Sequence, residues 1–172
     1  MSAAALAVSG GEAGPRPVNL LTDLGAIADL IEVCFAAQMD PAGRAAVREM
    51  RWLSHTGPFL WGLAGLNRVA RGVSAGFVWV EDGRLVGNVS IYRADVRAPV
   101  WVIANVAVHP DYRRRGIARS LVRASLDLLR RRRARRAILQ VEHDNAPAIA
   151  LYREEGFYTQ RTWVTWRRPA YL

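Results

Sequence analysis

A glycine-containing turn between an apolar strand and a helix carries the clearest chemical signal. It runs from Val106 to Ala118 and places three consecutive arginines, Arg113 to Arg115, directly before Gly116 and Ile117. The first amides of a helix lack intrahelical partners and lie at the positive end of the helix dipole, so such a turn can bind phosphate. Gly116 and Ala118 let an anion approach the backbone closely. These residues therefore predict a pyrophosphate site.

A second segment, Asn145 to Phe157, has the pattern of a short helix with defined ends. Asn145 is a typical N-cap residue, and Pro147 is tolerated in a first turn. Gly156 is a typical helix stop. Tyr152 either carries a functional phenol or is an ordinary buried aromatic residue.

The elements that position these segments follow from hydrophobic periodicity. A strand candidate at 18–21 precedes a helix capped by Asp23 and a second helix that opens at Pro41 and stops near Gly57-Pro58. Residues 59–70 are interpreted as a flap. Further elements are expected in the following order: strands 77–80, 85–92 and 99–108, a long helix from 117 to 129, a strand at 137–141, a helix at 145–155 and a strand at 162–168. This order predicts a mixed α/β layer in which a meander feeds into a βαβ-type crossover.

Composition limits the classes of protein that fit. The 172 residues, 51% of them hydrophobic, suit one domain at 17–172 behind a flexible tail at 1–16, and exclude a disordered or fibrous chain. The single cysteine suits a reducing compartment, and no signal peptide or membrane span is evident, so a cytoplasmic protein is expected.

Positive charge is concentrated at two places, Arg113 to Arg115 and Arg130 to Arg136. The net charge is +9, all basic residues are arginines, and six of them lie between Arg130 and Arg136. Cations at the end of the long helix complement its dipole. Contact with an adenosine 3′-phosphate and non-specific nucleic-acid binding are the alternatives, and no base-reading motif accompanies the run.

The two segments together resemble the GNAT superfamily of N-acetyltransferases. Arg113-x-x-Gly116-x-Ala118 after an apolar strand is similar to its acyl-CoA motif, Q/R-x-x-G-x-G/A, and Asn145 to Phe157 is similar to its later N…A…LY…GF motif. The likeness covers roughly residues 17–168. It implies the GNAT fold, acetyl-CoA as co-substrate and no metal. Only fifteen residues follow Phe157, so the last strand of that fold is expected to be missing or borrowed, and a homodimer is expected.

The resemblance also implies a role for each site residue. Backbone amides from Arg113 to Ala118 would hold the CoA pyrophosphate, and backbone groups of Val106 and Val108 would bind the pantetheine arm. Asn145 corresponds to a residue that contacts pantetheine. Tyr152 corresponds to a tyrosine beside the CoA sulfur, where it would protonate the leaving thiolate.

The general base is the least defined part of this prediction. The motifs are nearest those of the ribosomal-protein alanine N-acetyltransferases, which place a glutamate where this chain has Gln140. An amide cannot take a proton, although it can orient a water. Glu142, two residues on and hence on the same face of a strand, is the preferred base or water-relay partner. Glu81, Asp82, His109 and bulk water are alternatives.

The expected activity is transfer of an acetyl group to the primary amine of a small molecule or a peptide N-terminus, by direct attack in a ternary complex. Nucleic acid and membrane are not expected partners. Two rival hypotheses remain: an acyl-CoA sensor that has lost its base, which Gln140 favours, and an RNA- or ribosome-associated module.

Overall fold

The computed structural model describes residues 14–37, 39–60, 75–94 and 98–162. Five strands lie within these ranges: β1 (Pro15–Pro17), β2 (Ala75–Glu81), β3 (Arg84–Arg93), β4 (Val100–Val108) and β5 (Arg136–Ile138). Four α-helices lie there too: α1 (Leu24–Phe35), α2 (Pro41–Leu60), α3 (Ile117–Arg131) and α4 (Ala146–Glu154). A 3₁₀ turn, Pro110–Tyr112, lies between β4 and α3.

The strands form one mixed sheet in the order β1-β2-β3-β4-β5. The pairs from β1 to β4 are antiparallel, and β5 is parallel to β4. Because α3 connects these two parallel strands, the predicted meander and crossover are both confirmed. The parallel ladder is short, since it pairs Val100–Val102 with Arg136–Ile138 and ends there.

Helices cover both faces of the sheet. Val78 of β2 belongs to a buried cluster with α1 and α2, whose members are Leu24, Ile27, Ala28, Ile31, Val47, Met50 and Leu53. The adjacent residue Trp79 lies beside Gly87, on the face against which α3 packs. Successive side chains of a strand point to opposite faces, so α1 and α2 cover one face and α3 covers the other. Arg51 of α2 bonds Asp29 and Glu32 of α1, at 2.6 and 2.7 Å.

Several boundaries differ from the prediction. The first strand lies at Pro15–Pro17 rather than at 18–21, and pairs with Phe77 to Trp79. Asp23 precedes α1 but its side chain makes no cap, because its carboxylate binds Arg16 at 2.7 Å. The helix from Pro41 continues past Gly57-Pro58 to Leu60. A proline in the last turn removes a single backbone hydrogen bond, which the helix tolerates there.

The strand predicted at 137–141 extends less far than expected. β5 ends at Ile138 instead of 141, because its ladder with β4 ends at the Val102–Ile138 pair. Residues 61–74, which hold most of the predicted flap, and residues 163–172, which hold nearly all of the final predicted strand, lie outside the described residues.

By its contacts the chain divides into two compact units, Met1–Gln140 and Val141–Leu172. The first contains the five described strands with α1, α2 and α3, and the second contains α4. No helix in the described ranges has the length and apolar character needed to cross a bilayer.

Candidate functional site

The turn before α3 presents free backbone amides. Gly116 is the N-cap, with φ +78°, and a Cβ there would have no neighbour within 4 Å. This left-handed conformation favours glycine. The first intrahelical bond runs from Ser120 N to Gly116 O at 3.0 Å, so the amides of Ile117 and Ala118 precede it. The amides of Ile117 and Ala118 therefore have no partner within the helix.

The three arginines before Gly116 differ in what they contact. Arg113 Nε donates to the carbonyl of Val108 at 3.1 Å. Arg115 forms an ion pair with Glu81 at 2.5 Å, and its guanidinium carbon lies 5.4 Å from the ring centroid of Tyr112. Arg114 is exposed, and within the described residues its side chain makes no hydrogen bond or ion pair. Of the three, Arg114 is therefore the one whose whole side chain is uncommitted within the described residues.

Close packing fixes α3, and hence the turn, against the sheet. A Cβ on Gly87 of β3 would lie 2.9 Å from Ile117 Cγ2 and 3.0 Å from Leu121 Cδ1. These distances are shorter than side chains accept, so the absence of a side chain at Gly87 lets the first turn of α3 approach the strand.

One side of β4 is open beside this turn. His109 N donates to Val86 O at 2.9 Å, which makes this a hydrogen-bonded pair of the β3–β4 ladder. Backbone groups alternate along an antiparallel strand, so those of Val108 and Val106 point away from β3. Among the described residues no strand pairs with β4 on that side beyond Val102. An extended ligand could therefore bond to this edge as a further strand would.

The open edge is already partly bonded. The Val108 carbonyl accepts from Arg113 Nε and from Cys34 Sγ, which is 3.4 Å away on α1. That leaves the Val108 amide for a ligand. Burial raises the pKa of the Cys34 thiol, although the neighbouring Arg113 lowers it in part. This contact was not predictable from the sequence, because Cys34 precedes Val108 by 74 residues.

A polar cluster on β3 and β4 was also not predicted from the sequence. Asn88 Nδ2 donates to Asn105 O at 3.0 Å, and Asn105 Nδ2 lies 3.4 Å from Ser90 Oγ. Asn88 and Ser90 are buried, with 0% and 1% of their surface exposed. The two asparagines and the serine interrupt otherwise apolar strands, and this interruption is the feature of the sequence that could have indicated the cluster.

In the second unit, Asn145 caps α4 as predicted. Its Oδ1 accepts from the backbone N–H of Ala148 at 3.2 Å. A side-chain oxygen bonded to the third helical amide is the usual N-cap geometry. The Asn145 amide nitrogen remains available, so the cap is compatible with ligand binding.

The end of α4 holds Tyr152 in place. Gly156 adopts φ +88°, and its amide bonds Arg153 O at 3.0 Å, while Phe157 N bonds Tyr152 O at 2.9 Å. These two bonds define a Schellman motif at the end of the helix. In this motif the residue after the glycine, here Phe157, packs against the helical residue whose carbonyl accepts its N–H, here Tyr152. The rings of Tyr152 and Phe157 make that contact, edge to face at 6.0 Å. Burial raises the pKa of Tyr152.

The expected geometry at Gln140 and Glu142 is wrong. β5 ends at Ile138, so neither residue lies on a strand. Gln140 and Glu142 therefore do not share a strand face. Both side chains are exposed, and the carbonyl of Glu142 accepts from Asn145 N at 3.1 Å. Of the predicted site residues, Gln140 belongs with the anion turn to the first unit, and Glu142, Asn145 and Tyr152 belong to the second.

Known proteins share both sequence and fold with this chain. A mycothiol acetyltransferase of Clavibacter michiganensis subsp. michiganensis is 41% identical over 87 residues, covering 51% of this chain and 28% of that protein. The [ribosomal protein bS18]-alanine N-acetyltransferase of Escherichia coli K12 is 45% identical over 53 residues, or 31% of this chain and 36% of that protein. The chain thus spans about a third of the length of these relatives.

The fold has solved counterparts. The aminoglycoside N-acetyltransferase AAC(6′)-Iy, solved in complex with CoA, superposes with a TM-score of 0.61 at 19% identity, covering 96% of this chain and all of that one. The family model described as "Acetyltransferase (GNAT) family" matches residues 32–157. The match spans the open strand edge, the glycine turn and the capped helix, and it shows that the chain belongs to the GNAT acetyltransferase family.

Proposed function

We propose that residues 17–172 form an acyl-CoA-dependent N-acyltransferase that transfers an acetyl group from acetyl-CoA to a primary amine. Transfer occurs by direct attack within a ternary complex. The relatives named above are a mycothiol acetyltransferase and a [ribosomal protein bS18]-alanine N-acetyltransferase. These activities favour an amine-bearing small molecule or a peptide N-terminus as acceptor, and the reaction is placed in the cytoplasm.

The open edge of β4 beside the N-terminus of α3 is the observation that carries this proposal. Among the described residues β4 and β5 are bonded only at Val100–Val102, and after β4 ends at Val108 the chain turns into the helix whose first amides are those of Ile117 and Ala118. CoA combines an amide-containing extended arm with a pyrophosphate. The arm matches a strand edge with free backbone groups, and the pyrophosphate matches a helix N-terminus with Arg114 beside it.

The residues of this chain supply binding and proton transfer. The acceptor nitrogen forms a bond to the thioester carbon, the carbon–sulfur bond breaks, and the departing thiolate takes a proton from Tyr152. A phenol is protonated at neutral pH, as this acid must be, and burial, which raises the pKa of Tyr152, keeps it so. The proton lost by the amine passes to Glu142, directly or through a water.

Two further features are part of the proposal. Asn145 contacts the pantetheine arm through the amide nitrogen that the helix cap leaves available. The protein acts as a homodimer, with a second copy completing the sheet.

The test is release of free thiol from acetyl-CoA in the presence of a panel of primary amines. Tyr152→Phe is expected to lower kcat by roughly 100-fold, the usual contribution of a positioned general acid. Tyr158→Phe is the matched control, because Tyr158 is 84% exposed. Turnover that survives Tyr152→Phe would remove the acid from this mechanism, and absence of turnover with every amine would contradict the activity.

A sensor is the second candidate, favoured by the glutamine at position 140. It predicts CoA binding without thiol release for any acceptor. Gln140→Glu then separates the two functions: a sensor that has lost its base should gain turnover, whereas an enzyme that relies on Glu142 should change little.

A further inference from the structure

A buried asparagine on β3 bonds the backbone of β4 where the register of the two strands shifts. Asn88 is 0% exposed, and its Nδ2 lies 3.0 Å from the carbonyl oxygen of Asn105. Only the NH₂ side of an amide can face a carbonyl oxygen, so this contact fixes the orientation of the side chain. Asn88 Oδ1 points elsewhere and, in the part of the chain that is described, has no hydrogen-bond partner.

The register shift is a β-bulge. Ser90 pairs with Ala104 and Asn88 pairs with Ala107, so Asn105 and Val106 together face the single residue Val89. Asn105 has φ +50°, a left-handed conformation that asparagine tolerates better than most side chains. One left-handed residue followed by an extra residue is a recognised form of bulge.

The bulge decides which residues of β4 face the open edge. Before it, Ala94 N donates to Val100 O, so the even-numbered residues of β4 bond β3. After it, His109 N donates to Val86 O, so the odd-numbered residues bond β3. The peptide groups of Val106 and Val108 therefore point outward. A regular strand would present those of Asn105 and Ala107 instead.

Packing does not account for an asparagine at position 88. Two neighbours on the same face of the sheet, Val78 across the strand pair and Val86 along the strand, are apolar and buried, and the third, Ser90, is a buried polar residue whose Oγ lies 3.5 Å from Asn88 Nδ2. A buried amide oxygen without a partner lowers stability. The compensating contact is the bond to the bulge carbonyl.

We propose that Asn88 is a positioning residue for the pantetheine arm of acyl-CoA. By holding the carbonyl of Asn105 it fixes the bulge, and the bulge turns the peptide groups of Val106 and Val108 toward the arm. Asn88 itself does not touch the ligand. This inference rests on the proposed function.

The test compares CoA with adenosine 3′,5′-bisphosphate, which keeps the nucleoside, its 3′-phosphate and one phosphate of the pyrophosphate but lacks the arm. CoA and adenosine 3′,5′-bisphosphate are titrated calorimetrically into the full chain, as wild type and as Asn88→Asp, which keeps the shape but removes the donor. Asn88→Asp is expected to weaken CoA binding by about tenfold, since two backbone bonds to the arm are misplaced. Binding of the bisphosphate should stay within about twofold, because the turn at Gly116 is unchanged.

Two further variants separate positioning from general destabilisation. Val78→Ala opens a cavity opposite Asn88 without touching the bulge, and should leave both affinities unchanged. Asn105→Val disfavours the left-handed conformation and should reproduce the selective loss, which decides the matter if Asn88→Asp does not fold. The role of Asn88 would be overturned if the variant that folds bound CoA with wild-type affinity. It would also be overturned if that variant lost affinity equally for CoA and for the bisphosphate.

Failure of the proposed function gives a different result. A wild-type protein that binds no CoA would overturn both proposals. A wild-type protein that binds CoA without releasing thiol would overturn the catalytic proposal alone, while the ratio of the two affinities still decides the role of Asn88.

Discussion

The ring of Tyr152 meets the ring of Phe157 edge to face, with centroids 6.0 Å apart and planes inclined by 69°. The backbone enforces this contact, because the amide of Phe157 bonds the carbonyl of Tyr152 at 2.9 Å. Gly156 makes the turn between them possible through its φ of +88°. The spacing of Tyr152, Gly156 and Phe157 thus fixes the orientation of the phenol ring.

Gly156→Ala is expected to lower stability by roughly 1 kcal/mol, because a side chain is strained in the left-handed region. It should also lower kcat, since the orientation of the Tyr152 ring depends on this turn. Gly83→Ala is the matched control, because Gly83 has φ +74° and equally open surroundings in the β2–β3 hairpin. Thermal unfolding and thiol release would measure both effects. An equal loss of kcat in the two variants would argue against orientation through Gly156.

The raised pKa of Tyr152 predicts the alkaline behaviour of the protein. Burial keeps the phenol protonated above its ordinary value of 10.0, so the acid should not limit kcat between neutrality and that pH. The native state then holds the proton more tightly than the unfolded state. Stability from this group is therefore complete below pH 10.0 and is lost as the pH rises toward the folded pKa.

Unfolding curves of wild type and Tyr152→Phe across this range provide the measurement. The wild type should lose stability relative to the variant as the pH rises above the ordinary tyrosine value. A constant difference would mean that the phenol titrates normally in the native state.

Arg114→Gln is expected to raise the KM for acetyl-CoA by about fivefold at low salt, because a charge-assisted bond to phosphate is lost. The effect should shrink as salt is added, and the melting temperature should not change, since Arg114 makes no bond among the described residues. Arg48→Gln removes the same charge from an exposed position of α2 and serves as control. An equal rise in KM for both variants would indicate a general effect of net charge.

Arg133→Gly is expected to stabilise the protein by roughly 1 kcal/mol. Arg133 follows α3 with φ +52°, and the bonds from its amide to Arg130 O and from Ala134 N to Leu129 O form another Schellman motif. Glycine fits this position without strain. Arg131→Gly removes the same side chain from the last helical residue and should have the opposite sign. Chemical denaturation measures both, and destabilisation by Arg133→Gly would contradict the assignment of strain.

Periodicity predicted the long elements well. α3 begins at Ile117 as expected, and its buried residues Leu121, Val122, Ser125 and Leu129 belong to the helical pattern of the sequence. The predicted end of β5, at residue 141, lies three residues beyond the observed end at Ile138. Its apolar run, Ala137 to Val141, fits a strand, but strand formation also needs a partner, and pairing with β4 stops at Val102.

The glycine turn was predictable because free amides, a left-handed residue and nearby arginines are local features. The side chains that those arginines contact were not predictable, since Glu81 precedes Arg115 by 34 residues. The bulge at Asn105 was missed for a related reason. A single polar residue in an apolar run does not reveal that Asn88 lies across the strand pair to hold it.

Cys34 is the single cysteine in the chain, and its sulfur lies 3.4 Å from the Val108 carbonyl at the end of the open strand. A fluorophore attached through this thiol would be unique in the molecule and adjacent to the edge proposed for the pantetheine arm. Since burial raises the thiol pKa, labelling should proceed faster at alkaline pH. Emission from such a probe would follow cofactor arrival in real time without any engineered attachment point.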